Sequence, residues 1–191
     1  MVVILKFDNE TEKYFAKLFN ELNIECRISL KETDIAKAGH IILPDTNYLP
    51  EVIKKIQLMN LYSIIKILKV PVLGINNGMI LMCNKIKNIH KAGFGFYTLQ
   101  PNTITHKTEQ LVKAKIENTK NDILLTGIKE KEIRIYSKEY LPANRYSTSL
   151  LNVKDKKYSF SMKDGNHFAI QIDMERNKNL FKQIISNFVE L

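Results

Sequence analysis

The sequence predicts an α/β domain: a three-layer sandwich with a mostly parallel central sheet, helices on both faces and added antiparallel strands. Three observations predict it. Short apolar runs alternate with amphipathic segments through the first half of the chain, the order that builds parallel sheets covered on both faces. One of those runs, Val70 to Ile75, turns straight into a helical pattern through Gly74-Ile75-Asn76-Asn77-Gly78. Beyond residue 93 the pattern changes to a series of short strand-like segments, which read as antiparallel hairpins added to the parallel core. With 191 residues, 45% of them apolar, the chain suits one domain over 1–191 with a sizeable core. It contains no repeat, low-complexity segment or linker.

Val2 to Phe7 predicts a first buried strand. Thr11 to Leu22 predicts an amphipathic helix with Tyr14, Phe15, Leu18 and Leu22 on one face. Ile24 to Leu30 and His40 to Leu43 follow as strands, the latter stopped by Pro44-Asp45, and Leu49 to Leu68 supplies one long helix. Val70 to Ile75 is the next strand and Gly78 to Cys83 opens the helix behind it. Phe94 to Leu99, Gln110 to Ile116, Glu132 to Tyr136, Arg145 to Leu150 and Lys157 to Met162 predict short strands. The last apolar strand, Phe168 to Ile172, leads through Asp173-Met174-Glu175 into a closing helix, Leu180 to Leu191, whose Leu180, Ile184, Ile185 and Phe188 keep helical spacing.

The formal charge of +9 invites a nucleic-acid reading, but only four of the 29 basic residues are Arg, the residue suited to bidentate phosphate and base contacts. The lysines are scattered, densest at Lys54-Lys55 and between Lys154 and Lys157, and predict a solvated basic surface. The N-terminal apolar run is broken by Lys6 and Asp8, too short for a signal peptide or a membrane span, so a cytoplasmic protein without membrane contact is expected. Cys26 and Cys83 make no disulfide framework and have no metal-ligand spacing, and both read as buried small hydrophobes. No metal site and no cofactor is expected. His40, His90 and His106 sit near predicted strand ends or loops with no carboxylate or thiol paired to them, and His167 reads as the start of the last strand.

A strand, a tight glycine-flanked turn and a helix make the frame of a nucleophile elbow, in which a strained turn lifts the central side chain above the sheet. Here that residue is Asn76, whose carboxamide has no thiolate or alkoxide form and cannot begin acyl transfer. Asn does tolerate positive φ, so the turn is expected to persist without its chemistry. Cys83 lies seven positions on, about two helical turns or roughly 10 Å along the axis, out of reach of the elbow tip. His167 precedes Asp173 by six residues, roughly 20 Å of strand, too far to serve as a base there.

The pieces now assembled resemble the class I glutamine amidotransferase family, most closely the glutaminase subunit of imidazole glycerol phosphate synthase. They run in family order: the Pro44 loop after the third strand, Asn60-Leu61 followed by Ile64-Ile65, the elbow from Gly74 to Gly78, Gly93-Phe94-Gly95-Phe96, and Phe168 to Glu175. The resemblance implies an elbow Cys nucleophile and a last strand running into a His-Pro-Glu tripeptide that supplies base and orienting carboxylate. This chain has Asn76 and Asp173 in those two positions and agrees only at Glu175. It has Pro44-Asp45 where the family's Pro-Gly loop supplies an oxyanion-stabilising amide, which brings a negative charge to a site built for an oxyanion. Tyr136-Ser137-Lys138 replaces a His-Ser pair near the glutamine site.

The implied triad positions are thus Asn76, Asp173 and Glu175, and the implied substrate pocket contains Pro44, Asp45, Gly74, Asn77, Gly78, Ser137 and Lys138. The joint occupancy of positions 76 and 173 predicts a hydrogen bond from the Asn76 amide to the Asp173 carboxylate. The leading expectation is a protein of amidotransferase type without glutamine hydrolysis, kept as a binding or regulatory subunit in a heterodimer with a cyclase-type synthase subunit. Whether glutamine binds stays open. The alternatives are an enzyme using Asp173 and Glu175 as an acid/base pair, an active amidotransferase with a displaced nucleophile, and a lysine-rich module for nucleic acid or an acidic protein.

Overall fold

Five strands lie parallel in the first part of a nine-stranded sheet: β2 (Cys26–Ser29), β1 (Val2–Leu5), β3 (His40–Leu43), β4 (Val72–Ile75) and β9 (His167–Ile170), in that spatial order. The sheet then continues antiparallel through β8 (Lys156–Asp164), β7 (Ser147–Val153), β5 (Leu111–Asn118) and β6 (Glu132–Tyr136). β9 is the pivot, parallel to β4 on one side and antiparallel to β8 on the other. The computed structural model describes residues 1–103, 111–118, 120–136, 140–153 and 155–191. Gln110, His106, Ser137, Lys138 and Lys154 lie outside the described residues.

β1 and β4 are apolar and buried at every position, and β3 at its last three, because both faces of the sheet are covered there, and successive side chains point to opposite faces. Val3, Leu5, Ile41 and Leu43 face α3 (Leu49–Leu58), α4 (Leu61–Ile67) and α5 (Asn77–Leu81). Val2, Ile4, Ile42, Leu73 and Ile75 face α1 (Asn9–Glu21) and α6 (Lys178–Val189). Asp8 starts α1 by accepting from Thr11 N at 2.7 Å. That helix buries Phe15, Leu18 and Phe19, with the expected Tyr14 and Leu22 at its margin. All four apolar positions expected on the closing helix are buried, each contributing roughly 1.5–3 kcal/mol relative to exposure.

The long helix expected over 49–68 is two helices. Continuing the buried stripe of Val52, Ile53 and Ile56 by one or two turns would bring Asn60 and Ser63 to the core. Instead Asn60 adopts the left-handed conformation, φ +52°, accepts from Ser63 Oγ at 3.2 Å, and resets the phase so that Leu61 and Ile65 point inward. Phe94 to Leu99 forms no strand, contributing only an isolated bridge between Tyr97 and Cys83. Its amides are spent elsewhere: Phe94 N and Tyr97 N donate to Leu81 O and Met82 O at 2.8 and 3.1 Å, satisfying the carbonyls at the end of α5. A short helix, α2 (Glu32–Ile35), was not foreseen; its Asp34 accepts from Ser29 Oγ and Arg27 Nη1. Cys83 is fully buried as expected, whereas Cys26 is only half-buried. Among the described residues no helix is long and apolar enough to cross a membrane.

Candidate functional site

The carboxyl ends of β1, β3, β4 and β9 meet at one rim of the parallel sheet, where ligand crevices of open α/β sheets form. β4 ends on Ile75, and Asn76 follows with φ +50° and ψ −111°, a strained conformation outside the left-handed helical region. Asn77 then begins α5. The turn is this tight because its glycines admit backbone where other residues would place a Cβ. A Cβ on Gly74 would come within 2.8 Å of Met79 Cα, and one on Gly78 within 2.7 Å of Pro44 O. The elbow geometry is therefore complete, with a carboxamide at its tip.

That carboxamide is saturated. Asn76 Oδ1 accepts from Ile172 N at 2.9 Å, and Nδ2 donates to Ile172 O and to Asp45 Oδ2, each at 3.0 Å. The expected bond from Asn76 to Asp173 is therefore not formed, because both amide protons already have acceptors. Asp173 is held in its own turn, where Oδ1 accepts from Arg176 N at 3.0 Å and Oδ2 from Arg176 Nη1 at 2.9 Å. Asn177 fixes the far end of that turn to the edge strand β6: Arg134 N donates to its Oδ1 at 3.2 Å and its Nδ2 donates to Arg134 O at 3.0 Å.

Asp45 reaches the elbow from the loop after β3. Its Oδ1 accepts from Thr46 N at 2.9 Å and from Asn77 N at 3.1 Å, while Oδ2 takes the Asn76 amide. Asn77 Nδ2 completes the tie by donating to Thr46 O at 2.9 Å. Pro44 is buried beneath this loop.

Around these atoms lies an open cleft of about 570 Å³, lined among others by Asp8, Tyr14, Asp45, Tyr48, Asn76 and Asp173, with Glu175 and Arg176 on its wall. Glu175 is exposed. Burial, aided by Glu175, Glu21 and Asp173, pushes the Tyr14 phenol up to about 12, so it stays protonated and donates to Met174 O at 3.3 Å. Of the residues singled out in the sequence, Asp45, Asn76, Asp173 and Glu175 line this cleft, with Asn77 buried behind Asp45 and Gly74 and Gly78 shaping the turn. Thr46, Ile172 and Arg176 went unforeseen. Thr46 and Ile172 take part through backbone groups that no residue type announces, whereas Arg176, three positions after Asp173, fits the spacing of an Asp-initiated turn.

His167 stands at the opposite end of the sheet, starting β9 beside Val72 and stacked 3.8 Å from Phe96. Burial pushes the Cys83 thiol up to about 12, and it donates to Met79 O, away from the elbow tip. Among the described residues no group of three or more His, Cys, Asp or Glu side chains is placed to hold a metal ion.

Burial lowers the pKa of both His40 and His167 below the usual imidazole value of 6.5. A depressed folded-state pKa means that the unfolded chain takes up protons first as pH falls, so stability drops below about pH 6.5. The urea midpoint is expected to decline between pH 7 and pH 5, and His167→Phe to shrink that decline. The carboxylates held low by their partners, among them Glu21, Asp34 and Glu117, act in a separate window, losing their contribution only below about pH 4.5.

No family model matches the chain. The imidazole glycerol phosphate synthase subunit HisH of Buchnera aphidicola subsp. Acyrthosiphon pisum is 25% identical over 179 residues, 90% of each chain. The subunit of the same name from Listeria welshimeri serovar 6b is 27% identical over 99 residues, 50% of this chain and 48% of its own length. Among solved structures, a glutamine amidotransferase superposes with a TM-score of 0.71 at 10% identity, covering 99% of this chain and 97% of its own. A glutamine amidotransferase from Thermotoga maritima superposes with a TM-score of 0.54 at 12% identity, covering 99% and 82%. At such identities the superpositions establish the fold, an α/β sandwich of the kind seen in glutamine amidotransferases.

Proposed function

We propose that this chain, glutamine amidotransferase-like in fold and HisH-like in sequence, does not hydrolyse glutamine and serves as a binding or regulatory subunit of a cyclase-type synthase. The observation that carries the reading is the saturated carboxamide at the elbow. Acyl transfer at such a turn needs a group that attacks a carbonyl carbon and a base that takes its proton. Asn76 has no such atom, and its nitrogen is already committed to Asp45 and Ile172. The acidic group at position 173 is paired with Arg176 and has no imidazole's ability to take a proton near neutral pH and return it. The same side chains that lack reactivity are good struts: they tie the loop after β3, the elbow and the end of β9 into one rim.

A partner role is supported by the relatives, which are named as synthase subunits, and by the rim itself, where Tyr48 is 61% exposed. We place the pair in the cytoplasm. The test is glutamate release from glutamine by the purified chain, alone and with a cyclase-type subunit from the same source. No release above the uncatalysed rate is expected in either case, with the two proteins co-eluting as a heterodimer. Turnover by the unmodified chain refutes the silent-site reading, and separate elution refutes the subunit role.

A further inference from the structure

Thr46 N and Asn77 N come from different parts of the chain, the loop after β3 and the first residue of α5. Both donate to one atom, Asp45 Oδ1, at 2.9 and 3.1 Å. Two backbone N–H groups converging on a single oxygen at such distances are the arrangement that stabilises the oxyanion of acyl transfer, one of them from the residue that follows the elbow. The second carboxylate oxygen takes the Asn76 amide at 3.0 Å, so Asp45 spans the elbow from the paired amides to the central side chain. The segments carrying the two donors are held together by the bond from Asn77 Nδ2 to Thr46 O, and Thr46, Asn76 and Asn77 are all buried.

We propose that the chain retains a formed oxyanion hole and that the Asp45 carboxylate occupies it as a built-in anion, closing the site to acyl substrates whatever stands at positions 76 and 173. The proposal rests on the amidotransferase-like reading of the site but concerns different atoms. A carboxylate on a short tether sits at an effective concentration on the order of millimolar or more and loses no association entropy on entering the hole. It therefore excludes a free carboxylate or a developing oxyanion from the same two amides. The elbow helix has five residues, so the two converging amides, and not a helix dipole, hold the anion.

The experiment compares Asn76→Cys with Asn76→Cys/Asp45→Gly in the full chain, each treated with p-nitrophenyl acetate. The thiolate at position 76 adds to the ester carbonyl, p-nitrophenolate leaves with the electron pair of the broken C–O bond, and a thioester remains; the step passes through an oxyanion. Iodoacetamide, which alkylates the same thiol without forming an oxyanion, controls for access and ionisation. Both products are read at residue 76 by peptide mass, which sets aside Cys26 and Cys83. Removing Asp45 is expected to speed acylation by about 100-fold, the worth of one oxyanion donor, with alkylation rising far less. Equal acceleration of both reactions, or of neither, overturns the proposal.

A Cys variant that fails to fold leaves a second route. In the native Asn76 background, Asp45→Gly should release the Thr46 and Asn77 amides to faster hydrogen exchange together, while Asp45→Asn, which keeps an acceptor oxygen, retains their protection. Unchanged exchange in the Gly variant refutes the occupied hole. None of these readouts uses a cyclase-type subunit, so separate elution of the two proteins would refute the subunit reading without touching this one.

Discussion

Asn76→Ala is expected to lower the free energy of unfolding by about 4 kcal/mol, a large fraction of a typical domain's stability. The substitution removes three hydrogen bonds at once, two of them buried and the one to Asp45 partly so. Two of them leave the N–H and C=O of Ile172 without partners, at about 1–3 kcal/mol for each unsatisfied buried group. Alanine must also hold φ +50°, which adds about 1 kcal/mol or more of backbone strain. For a chain of this length the melting temperature should fall by roughly 8–16 °C, read by calorimetry or far-ultraviolet circular dichroism. Asn76→Gly separates the two causes. It loses the same bonds but accepts positive φ, and so should be milder than Ala by about 1 kcal/mol. Equal melting temperatures for Ala, Gly and native chains would mean that the carboxamide is not a strut.

Glutamate release is expected to stay at background in Asn76→Cys/Asp173→His and to rise by about 100-fold when Asp45→Gly is added. The pair of substitutions restores a nucleophile and a base but leaves a carboxylate on the amides at the elbow. A thiolate formed beside that carboxylate is disfavoured by like charge, and the tetrahedral oxyanion has no vacant donors. The third substitution removes both obstacles. Assays belong well below the melting temperature, since Asn76→Cys forfeits the bonds of the native carboxamide. Equal turnover by double and triple variants would show that Asp45 stands aside during reaction. Silence of both would show that the site has lost more than these three side chains.

The layered fold was legible because its causes are local. Val2–Leu5, His40–Leu43 and Val72–Ile75 are short apolar runs, and Leu180, Ile184, Ile185 and Phe188 recur at helical spacing, patterns that announce covered strands and an amphipathic helix. The elbow was legible for a related reason: two glycines around Asn76 mark close backbone approach and positive φ, and the structure has both. The break at Asn60 was harder to see. Leu49 to Leu68 is apolar enough throughout to be one helix, and only the phase of the buried stripe across the sheet forces the kink.

By itself the sequence determined the α/β sandwich, the glycine-framed elbow and the absence of a thiol, hydroxyl or imidazole at its tip, because side-chain chemistry and hydrophobic period are properties of residues in order. Tertiary structure alone decided the partners of Asn76. Asp45, Asn76 and Ile172 are separated by 31 and 96 positions in the chain and become neighbours only when β3, β4 and β9 are laid side by side. A carboxamide with two protons bonds the acceptors nearest to it, and which acceptors those are is a matter of strand order and register. The convergence of Thr46 N and Asn77 N on one oxygen of Asp45 is hidden for the same reason, since every residue carries a backbone N–H and only the fold aims two of them at one point.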